Sequence, residues 1–142
     1  MKTRAIVISI FLGLLLLAAT APVQAQQPFR IKIPFNFVAD KVTLPAGEYM
    51  VQPAGDGSPA LILHRLDGDR SASAIVMTHS AETRSSKSQS SLVFRVYGEG
   101  YFLSQVWTIG NTSGRQLRTS PIEKQLAKNE TPRDIILVAT LE

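Results

Sequence analysis

Cysteine is absent from this chain of 142 residues. Disulfides and thiolate metal sites are therefore excluded, and so is the lipid anchor that an exported lipoprotein carries on a cysteine after its leader. Histidine occurs only as His64 and His79. If Asp67-Gly68-Asp69-Arg70 closes a hairpin, His64 pairs near Ser73 and the two imidazoles lie about 20 Å apart, too far to share a metal. No serine sits in a Gly-x-Ser-x-Gly elbow. Glu48, Glu82 and Glu99 supply carboxylates, but no spacing favours one pair for glycosidic chemistry. Asp67-Gly68-Asp69 opens like a calcium loop and lacks the later acidic ligand, so turn chemistry accounts for it better. The sequence thus points to no metal, no cofactor and no enzyme, with a hydrolase the least favoured reading.

Long apolar runs are also missing, with one exception. Lys2 and Arg4 precede an apolar segment from Ile6 to Ala19, and Val23-Gln24-Ala25 follows as a small-x-small cleavage signal. The run is too short and too alanine-ended for a comfortable membrane span. Residues 1–25 are expected to be a signal peptide, and residues 26–142 a single exported domain in the periplasm or outside the cell, with no membrane span. The formal charge of +4 includes Lys2 and Arg4; without them 13 basic residues face 11 acidic ones, a net of +2. That balance gives no reason to expect a nucleic-acid partner.

The remaining 117 residues are rich in strand signals. Phe29, Ile31, Ile33, Phe35 and Phe37 occupy every second position, a strict two-residue period. Pro34 lacks an N–H, which places this strand at a sheet edge or at a corner. Lys41 to Leu44 and Glu48 to Gln52 flank Pro45-Ala46-Gly47 and are expected to form a hairpin. Ala60 to Leu66 and Ala72 to His79 form another. Ser80 to Ser90 is polar and serine-rich and reads as an exposed, disordered linker.

The most strand-like stretch is Ser91 to Trp107. Its arms are expected to fold back across a three-residue loop, Gly98-Glu99 in a type I bend and Gly100 left-handed. That register opposes Val96 to Phe102, Phe94 to Ser104 and Leu92 to Val106, and leaves Arg95, Tyr97, Tyr101, Leu103, Gln105 and Trp107 on the other face. Further on, Ser120, Pro121 and Glu123 read as N-cap, first helical position and capping box of a helix to about Lys128, with Ile122 and Leu126 as its docking stripe. Asp134 to Leu141 closes the chain as a strand, its run Ile135 to Val138 read as buried on both faces. Roughly eight strands and one short helix near the C-terminus predict an all-β fold, a small antiparallel β-sandwich or partly closed barrel.

Leu44-Pro45-Ala46-Gly47-Glu48-Tyr49, Tyr97-Gly98 with Tyr101-Phe102-Leu103-Ser104-Gln105-Val106-Trp107, and Ser120-Pro121-Ile122-Glu123 resemble the pattern of a family of small exported bacterial proteins. The likeness runs from about Phe35 to Val138. It implies export and turn and core roles for these motifs, and it implies no reaction.

Two groups are candidate binding residues. Arg95, Tyr97, Tyr101 and Trp107 would form a stacking platform if exposed, because flat rings offer large contact area at low entropy cost. Covered by the helix or a second sheet they are core, the reading preferred for Trp107. Arg115, Arg118, Lys124 and Lys128 could meet an anionic polysaccharide, lipid headgroup or acidic partner; a solvated helix face is the plainer reading. The sequence therefore points to a non-enzymatic exported domain that acts by surface binding or a structural role in the cell envelope, its partner a protein, a glycan or an apolar small molecule. The alternative is a barrel-type carrier of an apolar small molecule.

Overall fold

The computed structural model describes residues 26–68 and 72–140. The expected leader, Asp69, Arg70 and the last residue of the expected closing strand lie outside the described residues.

Among the described residues the chain is mainly β, with ten strands and one short helix: β1 (Phe29–Ile33), β2 (Phe37–Ala39), β3 (Val42–Leu44), β4 (Gly47–Pro53), β5 (Ala60–Arg65), β6 (Ser73–Glu82), β7 (Ser91–Tyr97), β8 (Gly100–Trp107), β9 (Ser113–Leu117), α1 (Pro121–Ala127) and β10 (Arg133–Val138). They belong to one sheet. Antiparallel pairing runs β10-β7-β8-β9-β6-β5-β4-β1. The far half of the β8 edge, beyond β9, takes β2 in parallel at Val38 and Phe102, and β3 pairs with β2. The sheet curls until β1 and β10 approach one another, but they are not hydrogen-bonded and the barrel stays open.

Alternation explains the curl. Every second residue of β1, β4, β5 and β6 turns inward: Ile31 and Ile33, Tyr49 and Val51, Leu61 and Leu63, Ala74 and Val76. They meet Phe37, Leu92, Phe94 and Val106 in one core. Phe37 contacts Tyr49 and Phe94 edge to face, each with centroids 5.5 Å apart, and Phe35 reaches Phe94 at 5.0 Å. Each fully buried large apolar side chain contributes roughly 1.5–3 kcal/mol, and together they hold a fold that has no disulfide.

Pro34 does end the first strand, and among the described residues β1 is an edge paired only with β4. The chain then crosses to β2, so the two-residue period from Phe29 to Phe37 serves two strands. Lys41–Leu44 and Glu48–Gln52 do not form the expected hairpin. β3 folds back on β2 through Asp40-Lys41, with Asp40 at φ 55°, while β4 joins β1 and β5. The corner between them is fixed by Tyr49, whose phenol donates to the Pro45 carbonyl at 2.6 Å, and by Asn36, whose Oδ1 accepts from the Ala46 N–H at 2.9 Å.

The hairpin β7–β8 keeps Leu92 opposite Val106 but shifts beyond it: Phe94 faces Leu103 and Val96 faces Tyr101. An irregularity at Val93/Phe94 inserts one residue, Ser104, into β8. The turn is correspondingly two residues long, with Gly98 at φ 56° in the first central position as a type II′ turn requires. Gly100 is ordinary strand. The slip moves Tyr101 and Leu103 to the inner face and Phe102 to the outer one.

Residues 80–90 are largely exposed, as expected, but they do not form a disordered linker. Ser80 to Glu82 complete β6, and the rest is tied to the loop before β9 by Thr83 N–H to Thr112 O (2.9 Å), Lys87 N–H to Asn111 O (3.2 Å) and Gly110 N–H to Lys87 O (2.8 Å). Backbone pairing overrides the polar composition here.

Candidate functional site

The outer face of β9, β8, β7 and β10 carries two rows of side chains. Register places Gln116, Gln105, Val93 and Ile136 side by side in one row. Gly114, Trp107, Ser91 and Val138 form the next. Trp107 is only 6% exposed because the indole lies flat over Gly114; a β-carbon there would meet ring atoms at 2.5 to 2.8 Å. Its Nε1–H donates to Gln105 Oε1 at 3.1 Å, and Lys87 Nζ stands 4.9 Å from the ring centroid.

Beside this covered indole the face opens into a groove of about 360 Å³, lined by Ser91, Val93, Gln105, Trp107, Ile136 and Val138, with the loop 87–89 along one wall and Asp134 at the far end. The strand β10 supplies the apolar floor. Ile136 is 62% exposed and Val138 47%, so the run Ile135 to Val138 is not buried on both faces: Ile135 and Leu137 turn inward, and among the described residues no second layer covers the outer pair.

The helix α1 packs on the same outer surface, over the other end of β7. Ser120 caps it, accepting from the Glu123 N–H at 3.1 Å. The Glu123 carboxylate does not return to the cap, as a complete capping box would have it. It is 4% exposed and receives Arg95 Nη1 and the Tyr97 phenol, each at 3.4 Å. Burial, and then the Glu123 carboxylate, raise the Tyr97 phenol above its ordinary pKa. Ile122, expected to dock the helix, is 61% exposed; the polar triad docks it instead, with Leu126 half-buried.

The expected aromatic platform is therefore divided. Tyr97 lies under α1 and contacts Phe102 edge to face at 5.7 Å, Tyr101 stacks on Phe35 at 3.8 Å, and Trp107 lies on Gly114. The basic set is divided as well. Arg115 shares the inward parity of Val106 and gives its Nε–H to Gln26 Oε1 at 3.1 Å, while Arg118, Lys124 and Lys128 are exposed at separate places after β9 and on α1.

The motif from Leu44 to Tyr49 is a structural lock. Asp67 Oδ1 accepts from the Glu48 N–H at 3.0 Å and from Arg65 Nε at 3.2 Å, while Arg65 Nη2 donates to the Ala46 carbonyl at 3.2 Å. A β-carbon on Gly47 would meet Asp67 Oδ1 at 2.7 Å. The Glu48 N–H, more than any other group, holds the Asp67 carboxyl below its usual pKa. Burial raises the phenol of Tyr49.

Lys87, Ser91, Val93, Asp134, Ile136 and Val138 escaped the sequence reading. Four consecutive apolar residues hide which two point outward, and a serine-rich segment hides its backbone pairing. Among the described residues no group of three or more His, Asp or Glu could hold a metal ion, and no helix is long and apolar enough to cross a membrane. The site defined by the fold is thus an outward groove on an open, curled β-sheet. Comparison with protein-family models, with curated proteins and with solved structures gives no match.

Proposed function

We propose that this protein is an exported, non-enzymatic β-domain of the cell envelope or extracellular space that acts by binding through the outer face of β9, β8, β7 and β10. The observation that carries the reading is the pair Ile136 and Val138, two large apolar side chains on the outside of an edge strand, flanked by amide, hydroxyl and charged groups of the groove. An apolar floor with a polar rim is the composition of a recognition surface. The interior supports this reading over a carrier: Phe37, Tyr49, Phe94, Leu61, Leu63 and Leu92 fill the space inside the sheet where an apolar ligand would have to sit.

The test is co-sedimentation with envelope fragments of the producing cell. The wild-type chain is expected to pellet, and the double variant Ile136→Asp, Val138→Asp to remain in the supernatant with an unchanged circular-dichroism spectrum. Equal partitioning of the two folded proteins would refute the groove as the binding face.

A further inference from the structure

Met50 and Met77, the two methionines after the leader, and both histidines, His64 and His79, share one surface. In β4 the neighbours of Met50, Tyr49 and Val51, are inward, so Met50 faces out; the same parity turns His64 out of β5 and Met77 and His79 out of β6. The register then sets Met50 directly opposite His64. Directly opposed side chains in an antiparallel pair have β-carbons about 5 Å apart, within reach of a single ion for a thioether and an imidazole. From this juxtaposition we infer that Met50 Sδ and His64 Nε2 form a two-donor site for a soft monovalent metal ion, cuprous copper in particular.

Three features carry the assignment. The donor set is a thioether and an imidazole, the combination that selects Cu(I) over the harder divalent ions. His64 is held at its other nitrogen: Nδ1 lies 3.1 Å from Ser73 Oγ across the β5–β6 pair, which leaves Nε2 for a ligand, as the outer partners of metal-bound histidines do. On the β1 side the pair is flanked by Arg30, opposite Met50 and 4.0 Å from Glu48, with Lys32 opposite Glu48. The absence of any His, Asp or Glu cluster among the described residues leaves a harder divalent ion without a comparable set. Met77 and His79 lie two residues apart on one strand, opposite Ala60 and Gln116, without a cross-strand thioether or imidazole, and serve as the internal control.

The site is independent of the groove. It is tested by titrating the exported chain with Cu(I) under ascorbate against a chromophoric Cu(I) chelator. One equivalent is expected to bind, with affinity falling at least about tenfold in both Met50→Leu and His64→Gln, a loss no smaller than removing an outer partner of a metal ligand brings. Met50→Leu conserves volume, so the fold is retained. In a parallel Ag(I) titration followed by NMR, the Met50 methyl and the His64 ring protons are expected to shift together while Met77 stays in place. Unchanged Cu(I) affinity in either variant, loss of binding in Met77→Leu with His79→Gln instead, or Zn(II) binding that is equally sensitive to Met50→Leu would overturn the assignment.

Discussion

Trp107 occupies the volume that a side chain at position 114 would need. The ring atom Cε3 lies 2.5 Å from where a β-carbon on Gly114 would stand, and the obstacle is a buried aromatic ring. Gly114 is not at positive φ, so the constraint is steric. Gly114→Ala is expected to lower stability by about 1–3 kcal/mol in urea unfolding, as overpacking does. In a Trp107→Leu background the same change should cost much less, since the two positions are coupled. Equal costs in both backgrounds would contradict the arrangement.

At Gly47 the obstacles are the Asp67 carboxylate and the Arg65 guanidinium, ends of side chains that can move. Gly47→Ala is therefore expected to be milder than Gly114→Ala, and to abolish the depressed titration of Asp67 as seen by carboxyl NMR. The stability linked to Asp67 is present above the unfolded carboxyl pKa and is lost as pH falls through the lower folded value.

The helix provides a contrast between adjacent residues. Glu123→Ala leaves Arg95 and Tyr97 without their acceptor beneath α1, and is expected to cost about 1–3 kcal/mol. Ile122→Ser, at the exposed neighbouring position, should change stability by no more than about 0.5 kcal/mol. Denaturant midpoints of the two variants in one buffer decide between this docking and an apolar one.

Alkaline stability follows from Tyr49 and Tyr97. Both phenols are raised in the folded state, chiefly by burial. Their contribution is fully present below the unfolded tyrosine pKa, about 10, and is lost as pH climbs from there through the raised folded values. Unfolding free energy should be level in this respect up to that point and fall beyond it, with a shallower fall in Tyr97→Phe.

Much of the fold was legible because the two-residue period is a local property. Phe29 to Ile33, the paired arms at His64 and Ser73, and the N-cap at Ser120 all follow from nearest neighbours and agree with the structure. What escaped depends on pairing between distant segments. Whether Leu44 returns on β2 or runs on to β4 is decided by partners elsewhere in the sheet, and β9 begins in a loop-like sequence because β6 and β8 accept it. The inserted Ser104 has no signal of its own, yet it exchanges Tyr101 for Phe102 between the two faces. In the site, the inward turn of Glu123 was hidden for the same reason: a carboxylate on a short helix looks like a cap until Arg95 and Tyr97 are brought beneath it.

On the proposed reading the domain is exported and works from its outer surface, not from an internal ligand site. Native mass spectrometry of the protein recovered from the producing cell tests both halves in one spectrum. The expected spectrum shows a chain beginning at Gln26 with no apolar small molecule bound; a chain still beginning at Met1, or one holding a stoichiometric apolar ligand, would contradict that reading.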